Sequence, residues 1–213
     1  MYLTNAQRTR KLLFSLLSKP GNICSYFLYS LTSKSPLELA MPWWSLDAIR
    51  ALENHLSEKH EVFEWGSGGS TLYLAKRAKK VTTVEQHPEW LEKVRVSLEK
   101  DSLANVSLLF RNLDISDREA FESCPYAKAL ESTKDVIIVD GEDAFGPDSQ
   151  WSAREICFQT AEKWIKKTEG LIVVDDSWRY PAIRSKTKAK RLVVHESTGP
   201  CRRGVTSTDF HYY

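Results

Sequence analysis

Two stretches of the chain combine residue types in a way that could bind a nucleoside. The first is Glu64-Trp65-Gly66-Ser67-Gly68-Gly69-Ser70-Thr71. Glycines let a chain turn sharply and let a ligand approach the backbone closely. A helix opening just after them offers unpaired N–H groups, with Ser70 as its expected cap. The second is Glu85, nineteen residues after Gly66. A carboxylate at that point can accept both hydroxyls of a ribose. A glycine turn alone is only a turn, and a lone glutamate is ordinarily solvated. Together, each at the end of a strand, they point to a nucleoside site. A further set of acids, Asp140 and the pair Asp175-Asp176, ends two apolar runs. Three carboxylates gathered there repel one another unless a proton or a cation intervenes.

These residues need elements to position them, and the sequence supplies an alternating series. Leu46, Ile49, Leu52 and Leu56 mark a helix over 45–56. Short strands follow at 61–65, 81–84 and 106–110. Helices between them occupy 70–79 and 88–98, the latter opened by Pro88 at its first position. Ser116-x-x-Glu119 reads as a capping box before a weaker helix. Val136–Val139 and Leu171–Val174 are apolar throughout, as strands buried on both faces are. A long helix over 150–167 separates them. The stretches 191–195 and 205–213 read as two strands joined at Gly199-Pro200, with no helical pattern between, so they pair antiparallel. The expectation is an α/β fold: an open, mostly parallel seven-stranded sheet with helices on both faces and a C-terminal antiparallel hairpin. Residues 1–41 form an N-terminal helical extension and 42–213 the Rossmann-like domain. In such sheets ligands bind beyond the carboxyl ends of the strands, where the residues singled out above lie.

The stretch from Val62 to Thr71, followed by Val84-Glu85-Gln86-His87-Pro88-Glu89-Trp90, resembles the first two motifs of class I S-adenosylmethionine-dependent methyltransferases. Val139-Asp140-Gly141 and Val174-Asp175-Asp176 look like that family's fourth and fifth strand ends. The resemblance covers about 42–213 and implies S-adenosyl-L-methionine as cofactor. It implies that Gly66, Ser67 and Gly68 contact the methionine part, with Ser70 standing where the family's third glycine would be. Glu64 matches an acid that organises the loop or holds the cofactor's amino group. Glu85 would take the ribose hydroxyls, Gln86 would border the adenine, and Asn112 or Asp114 would meet the adenine amino group. Asp140 would lie beside the transferred methyl, as cofactor contact and catalytic residue.

A subset of O-methyltransferases holds a divalent ion with comparable acids, so Asp140, Asp175 and Asp176 are a candidate site for a cation such as magnesium. The metal would lower the pKa of an acceptor hydroxyl. The competing reading leaves Asp140 with the cofactor and the acid pair capping the next segment. Arg184, Lys186, Lys188, Lys190 and Arg191 put five cations in eight residues. They read first as a solvated face and second as a clamp for an anionic acceptor. Trp43 and Trp44 cannot share one helical face, so one is expected to be partly exposed. Trp178, Arg179 and Tyr180 are candidates to line the acceptor pocket.

Composition closes off several classes. The 213 residues carry 30 basic and 28 acidic side chains, a net +2. That balance lacks the basic excess of a dedicated nucleic-acid binder, so no nucleic-acid partner is expected. Cys24, Cys124, Cys157 and Cys201 stand far apart, which excludes a metal knuckle and suits a reducing cytoplasm. The apolar runs before residue 35 are too short to span a bilayer. They are read as amphipathic helices packed on the domain, with a peripheral membrane or partner-binding face as the alternative. The leading expectation is a cytoplasmic methyltransferase acting on an oxygen of a small-molecule or glycan-like acceptor by direct displacement. A nucleotide-dependent oxidoreductase and a non-catalytic nucleoside-binding interaction module are the alternatives.

Overall fold

A computed structural model describes residues 4–30, 32–142 and 151–213. The core of the molecule is a seven-stranded sheet. Its strands are β1 (Glu61–Trp65), β2 (Lys80–Glu85), β3 (Val106–Phe110), β4 (Val136–Val139), β5 (Leu171–Val174), β6 (Arg191–Thr198) and β7 (Val205–Tyr212). Their order is β3-β2-β1-β4-β5-β7-β6. The first five run parallel and β7 enters antiparallel between β5 and β6. The strand order reverses between β1 and β4, the crevice where such sheets bind ligands.

Side chains alternate across the sheet, so each strand feeds two cores. Val62, Val136, Ile138, Leu171, Val173 and Phe210 point to one side, where α3 (Leu46–His55) and α4 (Gly69–Ala75) pack. Phe63, Trp65, Ile137, Val139, Ile172 and Val174 point to the other, under α6 (Arg118–Ser123), α7 (Ala153–Trp164) and α8 (Pro181–Lys186). Strands β4 and β5 are buried on both faces, which explains their unbroken apolar sequence. Helix α5 (Pro88–Lys100) packs Val94 and Leu98 with Leu72 of α4.

Two N-terminal helices, α1 (Asn5–Ser18) and α2 (Ile23–Ser30), lie against the hairpin edge. Leu16 and Tyr26 enter the same core as Trp44 and Leu46. Asp47 fixes the arm from the domain side: it accepts from Asn22 at 2.9 Å and pairs with Lys19 and Arg50.

Several local expectations shift. Gly68, not Ser70, is the cap of α4, and Ser70 lies inside the first turn. Asp117, not Ser116, caps α6 by accepting from the Ala120 N–H at 2.8 Å. Helix α7 spans Ala153–Trp164, and the expected start at Gln150 lies outside the described residues.

Candidate active site at the carboxyl edge of the sheet

The glycine loop leaves β1 at the crevice. Gly66 has φ +86°, and a Cβ there would come within 2.7 Å of the Gly141 Cα and 2.8 Å of the Asp140 carbonyl. Only glycine lets the β1 and β4 ends approach so closely. Gly69 meets the same limit on its other side, where a Cβ would strike the carbonyls of Pro36 and Met41.

Glu64 is fully buried beneath this loop. Its Oε2 accepts from the Thr71 hydroxyl at 2.6 Å, and Thr71 Oγ1 in turn accepts from the Gly68 N–H at 3.0 Å. Thus Thr71, to which the sequence reading gave no role, ties the carboxylate to the loop. Glu64 Oε1 is buried without a hydrogen bond. Burial pushes the carboxyl up to about 8, and the Ser70, Thr71 and Thr83 hydroxyls that face it offset only part of that rise.

Glu85 ends β2 and is also buried. One oxygen accepts from the Ser67 N–H at 3.1 Å and its hydroxyl at 2.8 Å, the other from the N–H groups of Gln86 and His87 at 3.0 Å each. It therefore sets the shape of both loops. Trp90 donates its indole N–H to the Ser67 carbonyl at 2.8 Å. Gln86 reaches Glu142 Oε2 at 3.3 Å, and its own Oε1 is buried without a partner. The structure thus brings Glu64, Gly66, Ser67, Gly68, Ser70, Glu85 and Gln86 together. Asp114 stands apart, exposed and accepting from the backbone and hydroxyl of its neighbour Ser116.

Asp140 follows β4. Trp44 donates to its Oδ2 at 2.7 Å and Arg154 approaches Oδ1 at 3.3 Å. The same guanidinium donates to the Gly141 carbonyl at 3.1 Å and the Asp175 carbonyl at 2.8 Å, joining the ends of β4 and β5. Burial raises the Asp140 carboxyl, against the pull of Arg154. Asp175 lies deeper and accepts from Thr208 at 2.6 Å. Burial, with Asp140 and Asp176 beside it, holds its carboxyl well above the usual range. Asp176 accepts from Thr206 at 2.6 Å and pairs with Arg202 at 3.4 Å.

This arrangement does not support the metal reading. Asp140, Asp175 and Asp176 each turn to a partner of their own, and no group of acids, histidines or cysteines among the described residues could hold a metal ion. Arg154 faces Asp140 and Arg202 faces Asp176, which offsets their repulsion. The donor set does not fit a divalent cation.

The basic run does not reach the crevice, which fits its first reading as a solvated face rather than the clamp. Arg191 pairs with Tyr212, which pairs with Leu171 at the start of β5, so the run descends to the opposite end of the sheet. Arg184 is spent on buried Asp209 at 2.6 Å, and Arg191 lies over the Tyr212 ring. Besides Arg154, a cation that meets the strand-end acids is Arg202, delivered by the β6–β7 turn. Its guanidinium lies 4.8 Å from the Trp43 ring centroid and donates to the Trp43 carbonyl at 2.7 Å. Sequence reasoning missed Arg202 because only the hairpin register brings it there. Of the paired tryptophans, Trp44 is buried and Trp43 is half-exposed. Trp178 is exposed on the segment that follows β5, whereas Tyr180 is buried with the Arg154 guanidinium over its ring.

No protein-family profile and no curated protein matches the sequence. Solved structures do match in shape. An rRNA methylase from Streptococcus thermophilus is 12% identical, with TM-score 0.55 over 85% of this chain and 98% of that one. A precorrin-6y C5,15-methyltransferase from Geobacter metallireducens is 14% identical, with TM-score 0.53 over 78% and 87%. The 16S rRNA N2 G1207 methyltransferase of T. thermophilus, solved with AdoMet and guanosine, is 15% identical, with TM-score 0.58 over 87% of this chain and 45% of that one. The chain has the class I methyltransferase fold.

Proposed function

We propose that the chain is an S-adenosylmethionine-dependent methyltransferase. The observation that carries this reading is Glu64: a buried carboxylate with one unpaired oxygen, directly under a glycine loop. That oxygen is the partner a ligand ammonium needs, and an amino-acid-bearing nucleoside supplies one. Gly66, Ser67 and Gly68 would hold the amino-acid part. Glu85 would accept a ribose hydroxyl in place of the Ser67 hydroxyl, keeping the loop in place through the Ser67 N–H. Gln86 would turn its free Oε1 to the base. When bound, S-adenosylmethionine supplies an activated sulfonium methyl that an acceptor atom can displace directly.

The chain's own residues then provide alignment and a sink for a proton. Asp140 is the candidate base. Trp44 and Arg154 fix its orientation, and burial raises its proton affinity. The half-exposed Trp43 with Arg202, and the exposed Trp178, form the rim that an acceptor must cross. Flat apolar faces beside one guanidinium suit a ring-bearing acceptor, and we favour oxygen transfer to a small molecule or saccharide.

RNA is the second reading, because two of the matched structures are rRNA methyltransferases. The charge balance that argued against nucleic acid is an average over the chain and does not decide it. The test is transfer of labelled methyl from S-adenosylmethionine to three pools: total RNA, saccharides and small-molecule extract. Label in the saccharide or small-molecule pool, lost on Asp140→Asn, is the expected result. Label in RNA alone selects the second reading, and label in none of the three removes the methyltransferase proposal.

A further inference from the structure

The N-terminal helices present an apolar face to solvent. Arg10, Leu13, Phe14 and Leu17 recur at i, i+3, i+4 and i+7, so they share one side of α1. In an ordinary surface helix that stripe faces the core. Here the core contact is made by Ser15 and Leu16, while Phe14 is 72% and Leu17 79% exposed. Helix α2 repeats the arrangement: Tyr26 is buried, whereas Phe27 and Leu28 are exposed. The exposure is not a frayed end. Helix α1 has a reciprocal cap between Thr4 and Gln7, and Asp47 with Lys19 and Asn22 holds the junction of the two helices.

The charge on this arm selects its partner. Residues 1–34 carry Arg8, Arg10, Lys11, Lys19 and Lys34 and no acid, while the rest of the chain is net acidic. Lys11 and Lys19 pair with Glu196 and Asp47 of the domain, and Arg8, Arg10 and Lys34 are exposed. Exposed apolar side chains flanked by cations are the composition of an interfacial helix, which sinks its apolar side into the headgroup boundary and pairs its cations with anionic lipid. No helix among the described residues is long and apolar enough to cross a membrane, so the arm would lie on the surface. We infer that α1 and α2 dock the protein on an anionic lipid bilayer. The arm also touches the crevice side: Cys201 donates its N–H to the Tyr29 carbonyl at 3.3 Å, one residue before Arg202. Docking would therefore hold the rim of the site close to the bilayer.

The experiment is co-sedimentation of the full chain with vesicles of phosphatidylcholine alone or with about 30% phosphatidylserine, an anionic content in the range that attracts basic segments. Binding to the anionic vesicles at least tenfold stronger than to neutral ones is expected. It should weaken in high salt and fall at least tenfold in Phe14→Ser/Leu17→Ser and in Arg8→Glu/Arg10→Glu. All four positions are exposed, and an unchanged melting temperature verifies that the variants fold. Absence of vesicle binding overturns the inference, as does equal binding to neutral lipid or no effect of either variant. If the chain instead ignores vesicles but forms a dimer that Phe14→Ser/Leu17→Ser dissolves, the face belongs to a second copy and the lipid assignment is wrong.

Discussion

Glu64 is enclosed on every side, yet only one of its oxygens is hydrogen-bonded. Its carboxyl rises to about 8 because burial disfavours the charged form. In the unfolded chain the same group titrates near its ordinary value of 4.5. Its contribution to stability is therefore fully present below that value and is lost as pH rises through about 8. Glu64→Gln removes this titration. The stability of the natural protein relative to the variant should decline from about pH 4.5 to 8, and parallel melting profiles over that window would contradict the account. The same proton reports on binding. A ligand ammonium that ionises Glu64 must release a proton near neutral pH, so the binding heat should depend on the buffer's ionisation enthalpy. That dependence should vanish in Glu64→Gln. Arg154 is a second residue whose loss is costly, since the buried guanidinium joins the partly buried Asp140 to the Gly141 and Asp175 carbonyls. Arg154→Ala should destabilise the fold by about 3–5 kcal/mol, the range for breaking a buried pair from one side. A chemical denaturation curve within about 1 kcal/mol of the natural protein would mean that water replaces the guanidinium.

At the scale of elements, Asp47 on α3 gathers Lys19, Asn22 and Arg50 and so ties the arm to the domain. Its carboxyl is partly desolvated, which raises it, but Lys19 and Asn22 outweigh that and hold it below the usual range. Asp47→Ala should speed hydrogen exchange across 5–30 and leave the sheet protected. Uniform exchange in the two proteins would show that Leu16 and Tyr26 suffice to dock the arm. The register of the hairpin makes another test. Because Lys188 and Lys190 run toward the far end of the sheet, changing both to Ala should leave cofactor affinity and methyl transfer unchanged in low salt. A fall in either would restore them to the site.

The same elements explain what the sequence could reveal. The seven strands were legible because apolar and β-branched runs alternate with helical spacing, and because β4 and β5, buried twice over, have no polar face to disguise them. The glycine loop and Glu85 were legible because close backbone approach and a strand-end acid both leave fixed residue types. Arg202, Thr71 and the fate of the basic run were not. Arg202 and the basic run depend on which strand lies beside which, since β7 inserts between β5 and β6, whereas Thr71 depends on how its loop folds back over Glu64. The caps at Ser70 and Ser116 missed by one or two residues, since Gly68 and Asp117 compete for the same first turn.

For the molecule as a whole, one ligand would join the ends of β1, β2 and β4. Glu64, the glycine loop, Glu85 and Gln86 come from different segments and meet only in the folded chain. A ligand that bridges them must raise the melting temperature, because it binds the folded state alone. The most direct measurement is a calorimetric titration of the full chain with S-adenosylhomocysteine, with NAD in parallel. S-adenosylhomocysteine should bind with micromolar affinity and NAD not comparably, and Glu85→Ala should lose about 1–3 kcal/mol, as when buried hydrogen-bond partners are left unpaired. Preference for NAD, or full affinity in both Glu64→Gln and Glu85→Ala, would contradict that expectation.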